Sequence, residues 1–154
     1  MLDTPEIMQT KAHMAAVIHL QVPRREMMNA FGPAVGELMA TLGAQGVAPI
    51  GSVFAHHLSM SPDIFDFELG VKISNPIKPT GRVKSGELPA AKVARTIYSG
   101  PYEGLPAAWG EFNTWIQNNG HEPADTLWEL YTVGPQSTPD PGGWRTELTR
   151  PLKY

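Results

Sequence analysis

Glu129 lies in the run Leu127-Trp128-Glu129-Leu130-Tyr131-Thr132-Val133. If that run is a strand, Leu127, Glu129, Tyr131 and Val133 share one face, and Trp128, Leu130 and Thr132 share the other. A carboxylate flanked by aromatic and aliphatic side chains is costly to bury unless it is paired. It then either meets a cation or holds its proton more tightly than usual, which suits acid–base chemistry. The plain alternative is an exposed sheet edge, or an ion pair with an arginine such as Arg145. Tyr131, on the same face, can donate a hydrogen bond to whatever Glu129 meets.

This chemistry sits in a duplicated frame. Phe31 through His57 maps onto Leu105 through Tyr131 at a constant offset of 74 residues, so that Gly46 falls on Gly120 and Pro49 on Pro123. Phe67-Glu68-Leu69 repeats as Thr146-Glu147-Leu148, after a hairpin loop five residues longer. The copies differ where chemistry is possible: Ala55 becomes Glu129, His57 becomes Tyr131 and Val35 becomes Trp109.

The repeat places His57 on the face equivalent to that of Tyr131, where it can donate a hydrogen bond or titrate near neutral pH. Taken in isolation, an exposed strand histidine is the commoner reading of His57. Trp109 and Phe112 share a helix face. Trp109 is the candidate for an aromatic wall that stacks a planar or cationic ligand, while Phe112 also fits a plain core stripe. Tyr98 and Tyr102 flank a Gly-Pro turn and either cap a cleft or only fix the turn. Glu68 is the second candidate acid, ahead of its equivalent Glu147, although solvent-facing sheet carboxylates are common. His56 and His57 have no third ligand at a persuasive spacing, so no metal is expected, and no cofactor either. Gly100-Pro101-Tyr102-Glu103-Gly104 lacks the lysine and spacing of a phosphate loop, and no nucleophile-elbow sequence occurs.

The elements that must position these residues read strand, helix, strand, strand in each half. Ala15 to Val22 is a β-branched run ended by Pro23. Met27, Phe31, Val35, Leu38, Met39 and Leu42 follow at helical spacing, closing at Gly43 or Gly46, and Gly32-Pro33 should kink this helix or delay its start. Strands are expected at 52–58 and 65–73, with the turn Ser61-Pro62-Asp63 between them. The second half gives strand 91–98, helix 104–118 stopped by Asn119-Gly120, strand 126–133, a Pro/Gly-rich loop 134–143 and strand 144–152. The expected division is an N-terminal extension, 1–14, and a single domain, 15–154, made of repeats 15–74 and 90–153 joined by a linker, 75–89. A three-stranded layer with one helix is marginal alone. Two copies joined into a larger antiparallel sheet with both helices resolve the burial problem, giving an α+β fold with a ligand cleft at the pseudo-two-fold.

Composition narrows the function classes. The chain has 154 residues, a net charge of −3, and twelve Lys and Arg that form no basic stripe, which speaks against direct nucleic-acid binding. The absence of cysteine excludes a disulfide framework, thiolate metal sites and cysteine nucleophiles, and fits a reducing cytoplasm. No signal peptide or membrane span is expected, and the N-terminus is too short for a helix-turn-helix.

Several stretches together carry a resemblance. They are Tyr98-Ser99-Gly100-Pro101-Tyr102-Glu103-Gly104-Leu105, then Trp109 and Trp115, then Trp128-Glu129-Leu130-Tyr131, Asp140-Pro141, Trp144-Arg145-Thr146-Glu147-Leu148 and Pro151-Leu152. Phe65-Asp66-Phe67-Glu68-Leu69-Gly70-Val71 matches the acidic strand of the first half. From Ala15 to Leu152 the chain resembles the GyrI-like effector-binding domain family. That family is typified by the bacterial gyrase-inhibitory protein and recurs as the sensing part of multidrug-responsive regulators of the MerR and AraC types. The resemblance implies a ligand cleft between the copies and a central glutamate, here Glu129, that meets lipophilic cationic or polar aromatic molecules. Members commonly carry tyrosine where this chain has His57.

The leading expectation is a stand-alone small-molecule binder acting in sequestration or sensing, with Glu129, Tyr131, His57, Trp109, Phe112, Glu68, Tyr98 and Tyr102 lining the site. A protein partner or homodimer is left open. The alternative, also implied by the resemblance, is a hydrolase of cyclopropane-containing genotoxins, with Glu129 as base and Tyr131 or His57 as acid.

Overall fold

The computed structural model describes residues 2–60, 63–134 and 137–153. Ser61 and Pro62 of the expected turn, and Pro135 and Gln136 of the long hairpin loop, fall outside them. The described residues form eight strands, paired antiparallel where their registers are defined, and two α-helices. They divide into two compact units, Lys11–Ala90 and a second unit that combines residues up to Thr10 with those from Ala91 onward.

Strand β1 is Glu6–Gln9 and belongs to that second, composite unit. The Lys11–Ala90 unit contains β2 (His13–Pro23), α1 (Met27–Ala44), β3 (Phe54–Met60), β4 (Ile64–Lys72) and β5 (Val83–Leu88). Its strands lie in the order β3-β4-β2-β5. Phe67, Leu69 and Val71 alternate inward on β4 and, with Ile18, Ala34, Leu38 and Leu42, form a fully buried layer. Pro23 ends β2 and a single 3₁₀ turn, Arg24–Glu26, leads into α1. Of the two outcomes expected of Gly32-Pro33, the delayed start does not occur, because the helix starts six residues before Pro33 and runs on to Ala44. Pro33 lacks the N–H that would bond Asn29, but its fixed φ suits a helix, and burial of Ala34, Leu38 and Leu42 holds the turns around it.

The composite unit contains β1, β6 (Lys92–Ser99), α2 (Leu105–Asn118), β7 (Leu127–Val133) and β8 (Arg145–Pro151), in the sheet order β1-β6-β8-β7. Ala108, Trp109, Phe112 and Ile116 on α2 pack with Ala94, Tyr98, Leu127 and Leu148 of the sheet.

The duplication extends to details of geometry. Each helix closes on a left-handed glycine, Gly46 at φ 68° and Gly120 at φ 80°. The next residue then bonds back to the helix, Val47 N–H to the Leu42 carbonyl at 3.0 Å and His121 N–H to the Ile116 carbonyl at 3.1 Å. These are matching Schellman closures. Ala55 pairs with Leu69 as Glu129 pairs with Leu148. A β-bulge follows at the same place in both copies, between His57 and Ser59 and between Tyr131 and Val133.

Two strands depart from the expected plan. The segment read as an N-terminal extension carries β1, and the segment read as a linker carries β5. Each completes a sheet edge within its own unit, β1 pairing with β6 and β5 with β2. Edge strands have one neighbour and need little apolar alternation, so their sequences give weak signals. Glu6, Ile7 and Gln9 are exposed, and Gly86 interrupts β5. That glycine is required by close approach, since a Cβ there would sit 2.7 Å from Val17 Cγ2.

Gly70 on β4 is tighter still, because an added Cβ would lie 2.7 Å from the Ala16 carbonyl oxygen and 2.8 Å from both Phe54 and Val17. Backbone cannot yield as a side-chain tip can. Gly70→Ala is therefore expected to destabilise the fold by about 1–3 kcal/mol. Urea unfolding measures this, and a midpoint equal to that of the parent chain would show that the strands can part freely.

Candidate functional site

Strand alternation and helix packing together bring Glu129 under α2. It lies on the β7 face shared with Leu127, opposite Leu148 on β8, and it is 6% exposed. In the first repeat the equivalent place holds Ala55, fully buried in an apolar layer. The second repeat thus carries a carboxyl where the first carries a methyl. The exchange of Val35 for Trp109 supplies the partner, as the Trp109 indole Nε1–H donates to Glu129 Oε2 at 2.7 Å. The other oxygen, Oε1, accepts the Tyr131 hydroxyl at 2.8 Å. Both donors are neutral.

A β-bulge follows Tyr131 in the ladder, and the residue as a whole is half-buried. Tyr102, in the 3₁₀ turn Tyr102–Gly104 that opens α2, meets the Tyr131 ring edge-on at 5.8 Å. Its other side leans on Trp144 at 5.0 Å. Trp144 is tied to the long hairpin by an Nε1–H bond to the Thr138 carbonyl at 2.9 Å. Glu129, Trp109, Tyr131, Tyr102 and Trp144 therefore form one connected group, passing from a buried acid to a half-buried aromatic surface.

Electrostatics follow from burial. Loss of solvent raises the Glu129 pKa above the ordinary carboxylate value, and the hydrogen bonds from Trp109 and Tyr131 oppose that rise. Burial also pushes the Tyr131 phenol well above its usual value, reinforced by the Glu129 charge and by its hydrogen bond to Glu129. Tyr102 is raised for the same two reasons, burial first and Glu129 second.

Because the folded chain holds the Glu129 proton more tightly than the unfolded chain, it binds more protons. Its stability therefore falls as pH rises from the ordinary carboxylate value through the raised folded one. Glu129→Gln keeps both hydrogen-bond positions without the charge. Calorimetric melting should place the variant level with the parent at acid pH and above it at mildly alkaline pH. A parent chain that gains on the variant as pH rises would contradict the raised pKa.

The other sequence candidates have different settings. Phe112 is fully buried beneath the indole, its ring 5.7 Å from that of Trp109, and is a core residue. Trp109 itself is 9% exposed, so its polar edge serves Glu129 and its ring packs in the core. Tyr98 is buried, donates its hydroxyl to the Pro101 carbonyl at 2.8 Å, and fills the space that a Cβ on Gly104 would need. It fixes the turn that carries Tyr102. His57 lies in the Lys11–Ala90 unit, 4% exposed, with Phe65 at 5.4 Å and Phe67 at 5.2 Å. Glu68 is half-buried on β4 in register with His19 and His56, on the face away from Phe67 and Leu69. Glu147 pairs with Arg95 at 3.0 Å. Arg145 does not pair with Glu129 through its Nη1, which donates to the Gly142 and Trp144 carbonyls.

Sequence reasoning missed Trp144 as part of this group. The signal was present, because beyond the longer loop the repeat equates Trp144 with Phe65, and Phe65 packs on His57 as the aromatic cluster packs on Tyr131. Among the described residues, no group of three or more His, Asp or Glu could hold a metal ion.

An antiparallel α+β frame thus carries a buried, hydrogen-bonded acid beside half-buried aromatic rings. The chain belongs to the GyrI-like small molecule binding domain family, whose sequence profile matches residues 3–153. No curated protein matches the sequence. Among solved structures, the EcmrR C-terminal domain is similar at 19% identity over 97% of both chains, with a TM-score of 0.85. The EcmrR chain of an EcmrR–DNA complex is 20% identical with a TM-score of 0.84, and the present chain spans 57% of its length. A hydrolase from Listeria innocua is 12% identical over 97% of this chain and 91% of that one, with a TM-score of 0.72. SAV2435, solved bound to tetraphenylphosphonium, is 12% identical over 98% and 94%, with a TM-score of 0.68. At these identities the likeness is one of fold.

Proposed function

We propose that this domain captures lipophilic aromatic cations at the group formed by Glu129, Tyr131, Tyr102, Trp144 and Trp109, in sequestration or sensing within the cytoplasm. One observation carries the reading: a carboxyl 6% exposed, with each oxygen held by a neutral donor, adjoins a half-buried aromatic surface. Neutral donors orient a carboxylate without cancelling its charge, so a cation on the aromatic side gains attraction undiluted by water. Aromatic rings supply the apolar contact and the quadrupole that such ligands favour.

Tetraphenylphosphonium, the ligand of SAV2435, is a suitable probe. Titration calorimetry should show saturable binding of one cation per chain, and absence of binding up to millimolar cation would overturn the reading. Capture and turnover separate by mass spectrometry. An incubated cyclopropane-bearing alkylator should remain unhydrolysed, and a water-added product lost in Glu129→Gln would replace capture with hydrolysis.

A further inference from the structure

The second repeat departs from the first at one further buried position. On β4 of the first repeat Phe67 pairs with His57, is fully buried, and holds its ring 5.2 Å from the imidazole. On β8 the repeat puts Thr146 in that place, paired with Tyr131 and equally buried. A ring has been exchanged for a short side chain that carries a hydroxyl. That hydroxyl has no hydrogen-bond partner among the described residues. Folded chains rarely leave a buried hydroxyl so, because losing water without a replacement bond is costly. Thr96, buried on the same sheet face, shows the usual outcome, its hydroxyl donating to the Asp3 carbonyl at 2.7 Å.

Thr146 shares the sheet face of Glu129, whose partner on β8 is Leu148, two residues on. Residues so placed, diagonal across an antiparallel pair, lie about 7–8 Å apart. Tyr98 flanks Thr146 on β6 and Tyr131 flanks it on β7. Tyr98 is fixed by its bond to the Pro101 carbonyl, whereas Tyr131 is half-buried with Tyr102 edge-on against it.

We infer that Thr146 is a further recognition residue of this site, accepting an N–H bond from the ligand, and that it selects aromatic cations whose charge lies on N–H groups over fully substituted ones. The inference rests on the capture reading above and deepens it. Glu129 contributes its charge alone, with no further hydrogen bond asked of it, and Thr146 contributes the acceptor. A primary ammonium carries charge and donor on one nitrogen, so a single head group meets both. A quaternary ammonium or phosphonium is still drawn by Glu129 but leaves the hydroxyl as it was. Folding has already stripped that hydroxyl of water, so binding gains the whole bond. Entry from the side of Tyr102 turns aromatic rings and displaces no strand.

The test is titration calorimetry of the full chain at about pH 7.5 with para-phenylbenzylammonium and with its trimethylammonium analogue. The two share charge and aryl body, and only the first has N–H donors. Thr146→Val removes the hydroxyl and keeps the branched shape. It should weaken the ammonium about tenfold, as loss of a hydrogen bond to a charged donor does, and leave the trimethyl analogue within about twofold. Thr146→Ser restores a hydroxyl and should restore the ammonium. In urea, Thr146→Val should unfold at or above the midpoint of the parent, since the hydroxyl bonds to no described group in the fold. A lower midpoint would show the hydroxyl to be used within the fold and overturns the inference. Equal loss of both cations in Thr146→Val, or loss of neither, also overturns it and leaves capture standing. Failure of both cations to bind the parent chain overturns capture and the inference together.

Discussion

Glu129→Gln is expected to weaken tetraphenylphosphonium binding by about 30- to 100-fold at mildly alkaline pH, equivalent to roughly 2–3 kcal/mol. Glutamine preserves the shape and presents an acceptor to Trp109 and an amide to Tyr131, so the loss isolates the charge. The size of the effect follows from burial: a charge at a 6% exposed position is poorly screened, and its attraction for a cation is far larger than at a surface. The same variant is expected to be at least as stable as the parent. Lower affinity without lower stability marks a binding acid, and structural acids behave in the opposite way. Equal affinity of parent and variant, with both folded, would remove Glu129 from recognition.

Phe112→Ala is expected to show the reverse pattern, losing about 3–5 kcal/mol of stability by chemical denaturation. Phe112 is fully buried between α2 and the sheet and supports the Trp109 ring. Its removal leaves a cavity directly under the indole that orders Glu129. Phe112→Leu refills most of that volume, so its phosphonium affinity should stay within a few-fold of the parent. A Phe112→Leu chain that folds normally and loses as much affinity as Glu129→Gln would move Phe112 from the core to the ligand surface.

The contrast between these two residues was only half legible in the sequence. Periodicity placed Trp109 and Phe112 on one helix face, and alternation placed Glu129 and Tyr131 on one strand face. Neither pattern says which edge of an indole points where, and it is the Nε1–H that defines Trp109 here. The repeat did better than either pattern, because exchanges at equivalent core positions marked Glu129 against Ala55 and Trp109 against Val35. The repeat also contained the unread equivalence of Trp144 with Phe65.

The fold was legible wherever burial of one face imposes a period. The alternation of Phe67, Leu69 and Val71 and the glycine stops at Gly46 and Gly120 all correspond to observed elements. It was illegible at β1 and β5, where strands at a sheet edge are held by backbone pairing and need no apolar stripe. The delayed helix start expected from Pro33 did not occur, for a related reason. A helix-breaking residue states a local cost, and the burial that offsets it comes from residues on either side.

In the proposed complex a lipophilic cation sits against the Glu129 carboxylate. The most direct measurement of that contact is anomalous diffraction from crystals of the chain grown with tetraphenylarsonium, the heavier analogue of the phosphonium. One arsenic peak is expected within about 6 Å of the Glu129 carboxylate, on the side bounded by Tyr131, Tyr102 and Trp144, and none in Glu129→Gln crystals. A saturating arsenic site elsewhere on the molecule, unchanged by that substitution, would contradict it.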